Sequence, residues 1–388
     1  MRNINLTMSL LVLAAALVPA LECRAEEDHG PLLRVHLADA PQTITISCER
    51  PCTVMRLGPR VEAHVFLDLE PQEISATPKG LRVNGRTTPC SIIDYESHDD
   101  GAIRLDGKSY PGTLRVIRTG KADAPGLALV NLVPAERYLM GVLGSEMPLA
   151  WETEALKAQV VAARTYALYY ELARAKDLWD VVSTVEDQVY SGGEVAARAR
   201  KIVEATRGEV LTYEGKLFPA FFHSTCGGHT DPPGIALGHP EFDFLEGVDC
   251  DWCKESRHYR WEARVEALDL AKRLGAAGFE VKGPIAAVAV REPQPDAPSP
   301  QRRVLVTCAD GEVSVAMVDF RRAVGRMDIK SARFECRLVG DIFHFTGSGL
   351  GHGAGMCQYG AQGLAKAGRS YRQILAYYYT EAKVERRY

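Results

Sequence analysis

Residues 134–173 read PAERYLMGVLGSEMPLAWETEALKAQVVAARTYALYYELA, and the pattern of the chain changes from strands to helices at this stretch. Between Leu156 and Tyr170 the apolar side chains recur at the spacing of one helix face. This periodicity predicts a long helix over about 152–173.

The first part of the same stretch predicts a second, shorter helix over 134–143, because Pro134 suits the first turn of a helix. Pro148 disfavours helical backbone at the residue before it. Residues 144–148 are therefore predicted to interrupt the helix and to form a tight loop. This loop would hold Glu146 between the two helices, where its side chain can face a cleft.

The residues before Pro134 predict strands. Their short β-prone runs often carry apolar side chains at every second position, and Asn84-Gly85 and Asp106-Gly107 are strong turn signals between them. The runs cover residues 32–38, 43–48, 61–69 and 114–118. An all-β N-terminal module follows from this pattern.

Helices and strands are mixed after residue 195. Helices are predicted over 195–206, 267–274, 361–367 and 371–379, and strands over 209–222 (with a turn), 285–290, 303–307 and 343–346. The predicted fold class is α+β: a β-rich N-terminal module followed by a mixed α/β body with an inserted β-rich subdomain. The predicted boundaries are 1–25 for a signal peptide, 26–125 for the module and 126–388 for the body, with 262–345 as an inserted α/β subdomain.

The composition is that of a soluble globular protein, with 46% hydrophobic and 25% charged residues among 388. A net charge of −4 gives no electrostatic case for binding nucleic acid or an anionic membrane. The charge therefore leaves a small molecule, a sugar or a protein as the class of binding partner.

The N-terminus has the layout of a signal peptide. Arg2 precedes the apolar run Met8–Val18, and Cys23-Arg24-Ala25 offers a small-x-small cleavage site. The run is too short to span a bilayer, so we expect an exported protein of the periplasm, cell envelope or extracellular space and not an integral membrane protein. A buried N-terminal helix is the alternative, and Glu22 disfavours a lipoprotein anchored at Cys23.

Ten cysteines are many for a cytosolic chain, and export would permit disulfides. Removal of Cys23 with the signal peptide leaves an odd number. Strand-to-strand disulfides are the default expectation for Cys48 with Cys52 and for Cys308 with Cys336.

A plausible metal-binding set is formed by Cys226, His229, Cys250 and Cys253. Cys-x-x-His and Cys-x-x-Cys pairs of this kind can close a tetrahedral structural zinc site. A disulfide between Cys226 and Cys253 is equally compatible with the spacing in an oxidising compartment.

Glu146 alone would be a weak signal, because most loop glutamates are simply solvated. Three sequence blocks give it more weight. The stretch 134–148, continued by 154–168, closely resembles the SpoIID/LytB family of stage II sporulation protein D and amidase enhancer proteins. The blocks HSTCGGHT at 223–230 and GHGAGMCQYGA at 351–361 resemble two further motifs of that family, in the same order.

The resemblance implies a SpoIID-type catalytic body and a function in the bacterial cell wall. Members of the family are lytic transglycosylases of peptidoglycan glycan strands, or are implicated in wall remodelling beside amidases. The catalytic glutamate of the family lies in the Glu-Met-Pro motif, which corresponds to Glu146. The reaction needs one acid/base and no cofactor. The alternative is a non-catalytic peptidoglycan-binding or amidase-enhancing protein.

The same resemblance suggests further site residues. His352 is the second catalytic candidate, because flanking glycines permit close approach of a ligand and an imidazole can donate to a sugar or orient the acid. A turn histidine without a role is the alternative. The candidate substrate-binding residues are Arg164, Tyr166, Ser224, Thr225, Gly227, Gly228, Gln358 and Tyr359. Zinc binding known in some members carries over to His229 only, and Cys357 stands where many members carry serine.

Overall fold

A computed structural model describes residues 30–40, 43–98, 101–193, 195–293 and 300–388. The expected signal peptide, with Cys23, lies outside these residues. Tertiary contacts divide the chain into two units. Unit 1 comprises Met1–Pro148, Ala167–Glu209 and Arg386–Tyr388, and unit 2 comprises Leu149–Tyr166 and Val210–Glu385.

Unit 1 contains two antiparallel-rich sheets. Their strands are β1 (Leu32–Ala40), β2 (Ile44–Cys48), β3 (Cys52–Leu57), β4 (Val61–Phe66), β5 (Leu69–Thr77), β6 (Gly80–Val83), β7 (Arg86–Thr88), β8 (Ile92–Ser97), β9 (Ala102–Leu105), β10 (Lys108–Pro111), β11 (Thr113–Gly120), β12 (Pro125–Pro134) and β13 (Val181–Val182). The strand orders are β13-β1-β12-β11-β8-β3-β4 and β10-β9-β2-β5-β6-β7.

Some N-terminal strands follow the predicted alternation of buried and exposed side chains, whereas β4 is exposed almost throughout and β12 is buried over most of its length. In β2 every second residue is buried, so one face of the strand packs into the core. Asn84 and Asp106 adopt the left-handed backbone that tight hairpin turns require. The predicted β-rich module is therefore present.

The helices of the two units are interleaved along the chain. They are α1 (Ala135–Glu146), α2 (Thr153–Ala173), α3 (Ala197–Ala205), α4 (Pro233–Leu237), α5 (Ala267–Ala276), α6 (Met317–Val324), α7 (Gln358–Lys366) and α8 (Tyr371–Tyr378). The long predicted helix is confirmed as α2. Its residues up to Tyr166 belong to unit 2, and those from Ala167 belong to unit 1.

The prediction of a loop at 144–148 is wrong in its first part. α1 continues through Gly144 and Ser145 to Glu146, and Met147 is the first residue with extended backbone. Pro148 restricts only the residue before it, and a single glycine near a helix end costs about 1 kcal/mol at most. Glu146 therefore lies on the last turn of a helix.

Unit 2 contains shorter sheets. Its strands are β14 (Glu209–Thr212), β15 (Phe222–His223), β16 (Trp261–Glu266), β17 (Ile285–Arg291), β18 (Arg303–Cys308), β19 (Gly311–Ala316), β20 (Phe334–Val339), β21 (Ile342–Gly347), β22 (Met356–Cys357) and β23 (Lys383–Arg386). They pair as β14-β23, β15-β22, β16-β21-β20 and β17-β18-β19.

One hydrophobic core of unit 2 is built almost entirely within residues 262–345. Leu270 of α5, Phe320 of α6 and Phe343 of β21 are fully buried in it. These are the residues that the sequence sets apart as an inserted subdomain, and the boundaries themselves stay a prediction.

The α+β fold class is confirmed, because both sheets and helices are abundant and strands predominate in unit 1. Among the described residues, no helix combines the length and the hydropathy needed to cross a membrane.

Candidate functional site

Glu146 is placed by the C-terminal end of α1. The residues before and after it anchor the helix, since Val142, Leu143 and Met147 are all buried. Met147 also donates its N–H to the carbonyl of Leu143. The Glu146 side chain is half-buried, so its carboxyl group stands at the edge of the core of unit 1.

A segment of residues 183–191, here called the strap, holds the Glu146 carboxyl group. The N–H of Val189 donates to Oε1 of Glu146 over 2.7 Å. The neighbouring Gln188 is fully buried and accepts a hydrogen bond from the hydroxyl of Tyr138 on α1 over 3.0 Å. The strap thus fixes both the helix and the acidic group that the helix ends with.

The strap is itself fixed by Asp187. This carboxylate accepts a hydrogen bond from Nη1 of Arg174 at 2.9 Å and another from the N–H of Val182 at 2.7 Å. Its side chain is 5% exposed. A buried carboxylate with an ion-pair partner and a backbone donor has a strongly preferred geometry, and this geometry determines where Val189 lies.

Tyr190 packs the strap against α1. Its hydroxyl donates to Oδ1 of Asn131 over 2.8 Å. A Cβ atom at Gly141 would lie 2.6 Å from Cε2 of this ring, so the glycine makes room for the tyrosine. Burial raises the pKa of Tyr190, which keeps the hydroxyl protonated and able to donate.

The strap is not among the features predicted from the sequence. Its side-chain types offered a signal, because Asp187-Gln188-Val189-Tyr190 combines a carboxylate, an amide and a phenol between predicted elements. Such groups, when buried, must be hydrogen-bonded.

The other predicted site residues belong to unit 2. Two of the sequence blocks meet there, because β15 and β22 pair in parallel, with Phe222 opposite Met356 and His223 opposite Cys357. The N–H of Tyr359 also donates to the carbonyl of Ser224 over 3.0 Å. The pairing therefore brings together motifs that are more than a hundred residues apart in sequence.

His352 is bonded within the Gly-rich loop. Its Nε2 lies 2.8 Å from the carbonyl oxygen of Phe222, so Nε2 carries the proton, and Nδ1 accepts from the N–H of Ala354 over 3.1 Å. Burial, with His223 as a further cause, lowers the pKa of His352 to about 3. Both ring nitrogens of a neutral imidazole are used by backbone groups. These contacts favour a positioning role over direct action on a substrate, and the catalytic role stays a prediction.

His223 is a buried residue that the sequence analysis did not select as a candidate. Its Nδ1 donates to the carbonyl of Ala354 over 3.0 Å, and its ring lies 5.4 Å from that of His352. Its Nε2 is a buried acceptor that has no hydrogen-bond partner within the described part of the chain. Burial lowers the pKa of His223 to about 4.

Most predicted substrate-binding residues are buried. Arg164 is fully buried on α2. Tyr166 contacts the rings of Phe221 and Phe222. The Thr225 hydroxyl is 2.7 Å from that of Ser256. These three residues are therefore part of the interior of unit 2.

Three other candidates also have structural contacts. Gln358 is buried and donates from Nε2 to Oε1 of Gln159 over 3.4 Å. Gly227 and Gly228 adopt positive φ angles of 76° and 128°. A Cβ atom at Gly227 would lie 2.7 Å from the nitrogen of Gly349, so this glycine is required where two backbones touch.

Ser224 and Tyr359 are only half-buried. The Tyr359 ring packs against the edge of Trp151, with 4.7 Å between centroids. These two side chains are the predicted binding residues of unit 2 that retain exposed polar or aromatic surface beside the motif loops.

The predicted metal set needs a correction. The sulfur atoms of Cys226, Cys250, Cys253 and Cys357 all lie within 4.8 Å of one another and are buried. His229 is outside this cluster, because its Nδ1 lies 2.9 Å from Oδ1 of exposed Asp249. The β15–β22 pairing supplies Cys357 as the fourth member instead.

No disulfide joins any of the cysteines in the described residues. The expected disulfide between Cys48 and Cys52 is absent, and so is that between Cys308 and Cys336. The cysteines of both pairs are thiols, and burial raises the pKa of Cys336 to about 12.

A cavity of about 700 Å³ lies in unit 2 beside β16, β20 and β21. Charged side chains line it, including Arg260, Glu292 and Arg333. None of the predicted site residues is among its lining residues, but Nη1 of the lining Arg260 donates to the carbonyl of Gly227 over 3.2 Å, so the cavity borders the loop 223–230.

The family model described as SpoIID, Stage II sporulation protein, matches residues 123–213. Stage II sporulation protein D of Bacillus amyloliquefaciens is 32% identical over 290 residues, which cover 70% of this chain and 78% of that protein. An uncharacterized protein of Brachyspira hyodysenteriae is 31% identical over 350 residues, 90% of this chain and 91% of its own length.

A further relative is the amidase enhancer of Bacillus subtilis. It is 31% identical over 321 residues, which are 71% of this chain and 44% of that protein. The chain belongs to the SpoIID/LytB family, as its sequence blocks predict.

Proposed function

We propose that this protein is a cell-wall enzyme, a lytic transglycosylase that cleaves the glycan strands of peptidoglycan with Glu146 as its acid/base. The observation that carries the proposal is the placement of Glu146. Its carboxyl group is half-buried at the end of α1, within the residues that match the family, and it is oriented by the N–H of Val189.

The proposed reaction uses one carboxyl group twice. Glu146 first donates its proton to the glycosidic oxygen after N-acetylmuramic acid, and the C1–O bond breaks through an oxocarbenium-like transition state. The Glu146 carboxylate then takes the proton of the C6 hydroxyl, and the C6 oxygen bonds to C1. The product is a 1,6-anhydro ring, formed without water, so no second carboxylate is required, in contrast to glycoside hydrolysis.

A fixed carboxyl group suits this mechanism. A general acid must lie within hydrogen-bond reach of the atom that it protonates, and small misplacements lower the rate strongly. The hydrogen bond from Val189 restricts rotation of the Glu146 side chain, and the buried neighbours Gln188 and Tyr190 in turn restrict Val189. The proposal also requires export, because peptidoglycan lies outside the cytoplasmic membrane, and the N-terminal sequence pattern predicts such export.

The test compares the wild type with Glu146→Gln on purified glycan strands, with anhydromuramyl ends detected by mass spectrometry. Glutamine retains an oxygen that accepts from Val189 but has no proton to transfer, so we expect a loss of about 10²–10⁴-fold in rate. Glu152→Gln is the matched control, because Glu152 is exposed. A wild type that binds glycan without forming anhydro ends would overturn the proposal.

A second candidate is a non-catalytic role beside a wall amidase, which the name of the amidase enhancer relative favours. The two are separated by one measurement with the same variants. Stimulation of an amidase by Glu146→Gln as strong as that by the wild type, without anhydro products from either protein, would favour the second candidate.

A further inference from the structure

Four cysteine side chains of unit 2 converge on one point. Cys226 follows β15, Cys250 directly precedes the 3₁₀ turn Asp251–Cys253, Cys253 is the last residue of that turn, and Cys357 ends β22. All four sulfurs are buried and lie within 4.8 Å of one another. We propose that the four thiolates bind a single zinc ion in a closed structural site, with Cys357 as the ligand that completes it.

The sulfur positions fit a tetrahedral ion. Four thiolates about 2.3 Å from a central zinc stand about 3.8 Å from one another. The sulfurs of Cys226 and Cys253 are 3.5 Å apart, and the whole set lies within 4.8 Å. Clusters of several irons hold their cysteine sulfurs further apart, so a single ion fits better. Four protein ligands leave no open position, which is the arrangement of structural rather than catalytic zinc.

The groups around the sulfurs favour thiolates. Cys357 Sγ accepts N–H donors from Cys226 at 3.2 Å and from Gly360 at 3.3 Å. The second donor comes from the first turn of α7, where the helix dipole also favours negative charge. The Tyr378 hydroxyl lies 3.1 Å from Cys250 Sγ. Such outer contacts orient and stabilise metal-bound ligands.

Two disulfides would explain the same residues less well. A disulfide requires two sulfurs at about 2.05 Å, which would draw the four atoms into two separate pairs. The half-cystine sulfur is uncharged, so backbone N–H groups directed at Cys357 would lose most of their electrostatic benefit.

The proposed ion has a clear structural consequence. β15 and β22 pair over only two residues each, and strands this short have little stability alone. The proposed ion links Cys226, which follows β15, to Cys357, which is the last residue of β22. Metal binding adds to the free energy of folding of such a segment, so the zinc would hold the loop of His352 against the block that begins at His223.

The experiment measures metal and thiols in the full chain, purified without chelator or reductant. We expect one zinc per chain by elemental analysis and four thiols that react only after denaturation with a chelator. Cys357→Ser should lose most of the zinc. Cys308→Ser, which changes another buried thiol of unit 2, should keep one zinc per chain.

Wild-type protein decides the question even if Cys357→Ser does not fold. The proposal would be overturned by wild-type protein that contains no zinc and carries two disulfides. Its mass would then be lower than that of the fully reduced chain by two hydrogen atoms for each disulfide. Visible absorbance with bound iron and sulfide would overturn it too. Cobalt substitution with the charge-transfer bands of four thiolates would support it.

Discussion

The N–H of Val189 donates to Oε1 of Glu146 over 2.7 Å and joins two residues that are 43 positions apart in sequence. The bond makes the geometry of the acidic group depend on the strap, residues 183–191. Changes in the strap should therefore alter activity without any contact between the changed residue and the glycan.

Asp187→Ala should loosen the strap. It removes the carboxylate that forms an ion pair with Arg174. The same carboxylate accepts a hydrogen bond from the N–H of Val182, and this N–H loses its acceptor. We expect the free energy of unfolding to fall by about 1–3 kcal/mol and the rate of anhydro-product formation to fall with it. Chemical denaturation and the product assay measure the two effects. Asp177→Ala is the control at an exposed carboxylate, and equal behaviour of the two variants would contradict this prediction.

Gly141→Ala should displace the ring of Tyr190. The added Cβ would lie 2.6 Å from Cε2 of that ring, and overpacking of this kind costs about 1–3 kcal/mol. Gly275→Ala on α5 is the matched control, because nothing lies within 4 Å of its Cβ position. The control should gain up to about 1 kcal/mol from helix propensity. Thermal unfolding of both variants tests the prediction, and an unchanged Tm for Gly141→Ala would disprove it.

The histidines of unit 2 should make stability depend on pH. Burial lowers the pKa of His352 to about 3 and that of His223 to about 4, whereas an unfolded histidine has a pKa near 6.5. Below pH 6.5 the unfolded state binds more protons. The contribution of the two neutral histidines to stability is thus fully present above pH 6.5. It is lost as the pH falls toward 4, the pKa of folded His223, and then toward 3, the pKa of folded His352.

His352→Gln measures this effect. Each such histidine contributes a slope of at most about 1.4 kcal/mol per pH unit, so the variant should lose less stability than the wild type between pH 6 and 4.5. Chemical denaturation across that range gives the slopes. His64→Gln, at an exposed position of β4, should keep the wild-type slope. Identical slopes for wild type and His352→Gln would count against the prediction.

Gly360→Ala tests the proposed zinc site from outside its ligands. A Cβ atom at this position would lie 1.9 Å from the hydroxyl oxygen of Tyr378 and 2.6 Å from Sγ of Cys250, so both this tyrosine, which contacts the sulfur, and the sulfur itself must move. We expect Gly360→Ala to lose zinc to a chelator faster than the wild type does, and a colorimetric zinc indicator measures this release. Gly275→Ala should lose zinc at the wild-type rate. Equal release rates in Gly360→Ala and the wild type would show that the sulfur position is not critical.

Local patterns were sufficient for the elements that repeat regularly. The long helix predicted over 152–173 is observed at Thr153–Ala173, which is 21 residues long, because one apolar stripe over that length strongly favours a helix. The end of α1 was misplaced because Pro148 was assumed to act over several residues. Its effect is limited to Met147, whose extended backbone satisfies the restriction.

Contacts between distant residues were not predictable from spacing. The Cys-x-x-His and Cys-x-x-Cys spacings select Cys226, Cys250 and Cys253, but Cys357 joins them only because β22 pairs with β15. His229 matched a ligand pattern locally, and its ring instead lies against Asp249. The pairing of β15 with β22 places Cys357, and not His229, beside the other three cysteines. Sequence spacing alone does not reveal such a pairing.

The continuity of α2 limits how the molecule can be divided. One uninterrupted helix supplies residues to unit 2 up to Tyr166 and to unit 1 from Ala167. A genetic fragment that encodes either unit alone would have to cut this helix, and the segment 123–213 that matches the family contains parts of both. Fragment expression is thus a poor route to a minimal version of this protein, whereas circular permutation at an exposed turn such as Asn84-Gly85 preserves every helix.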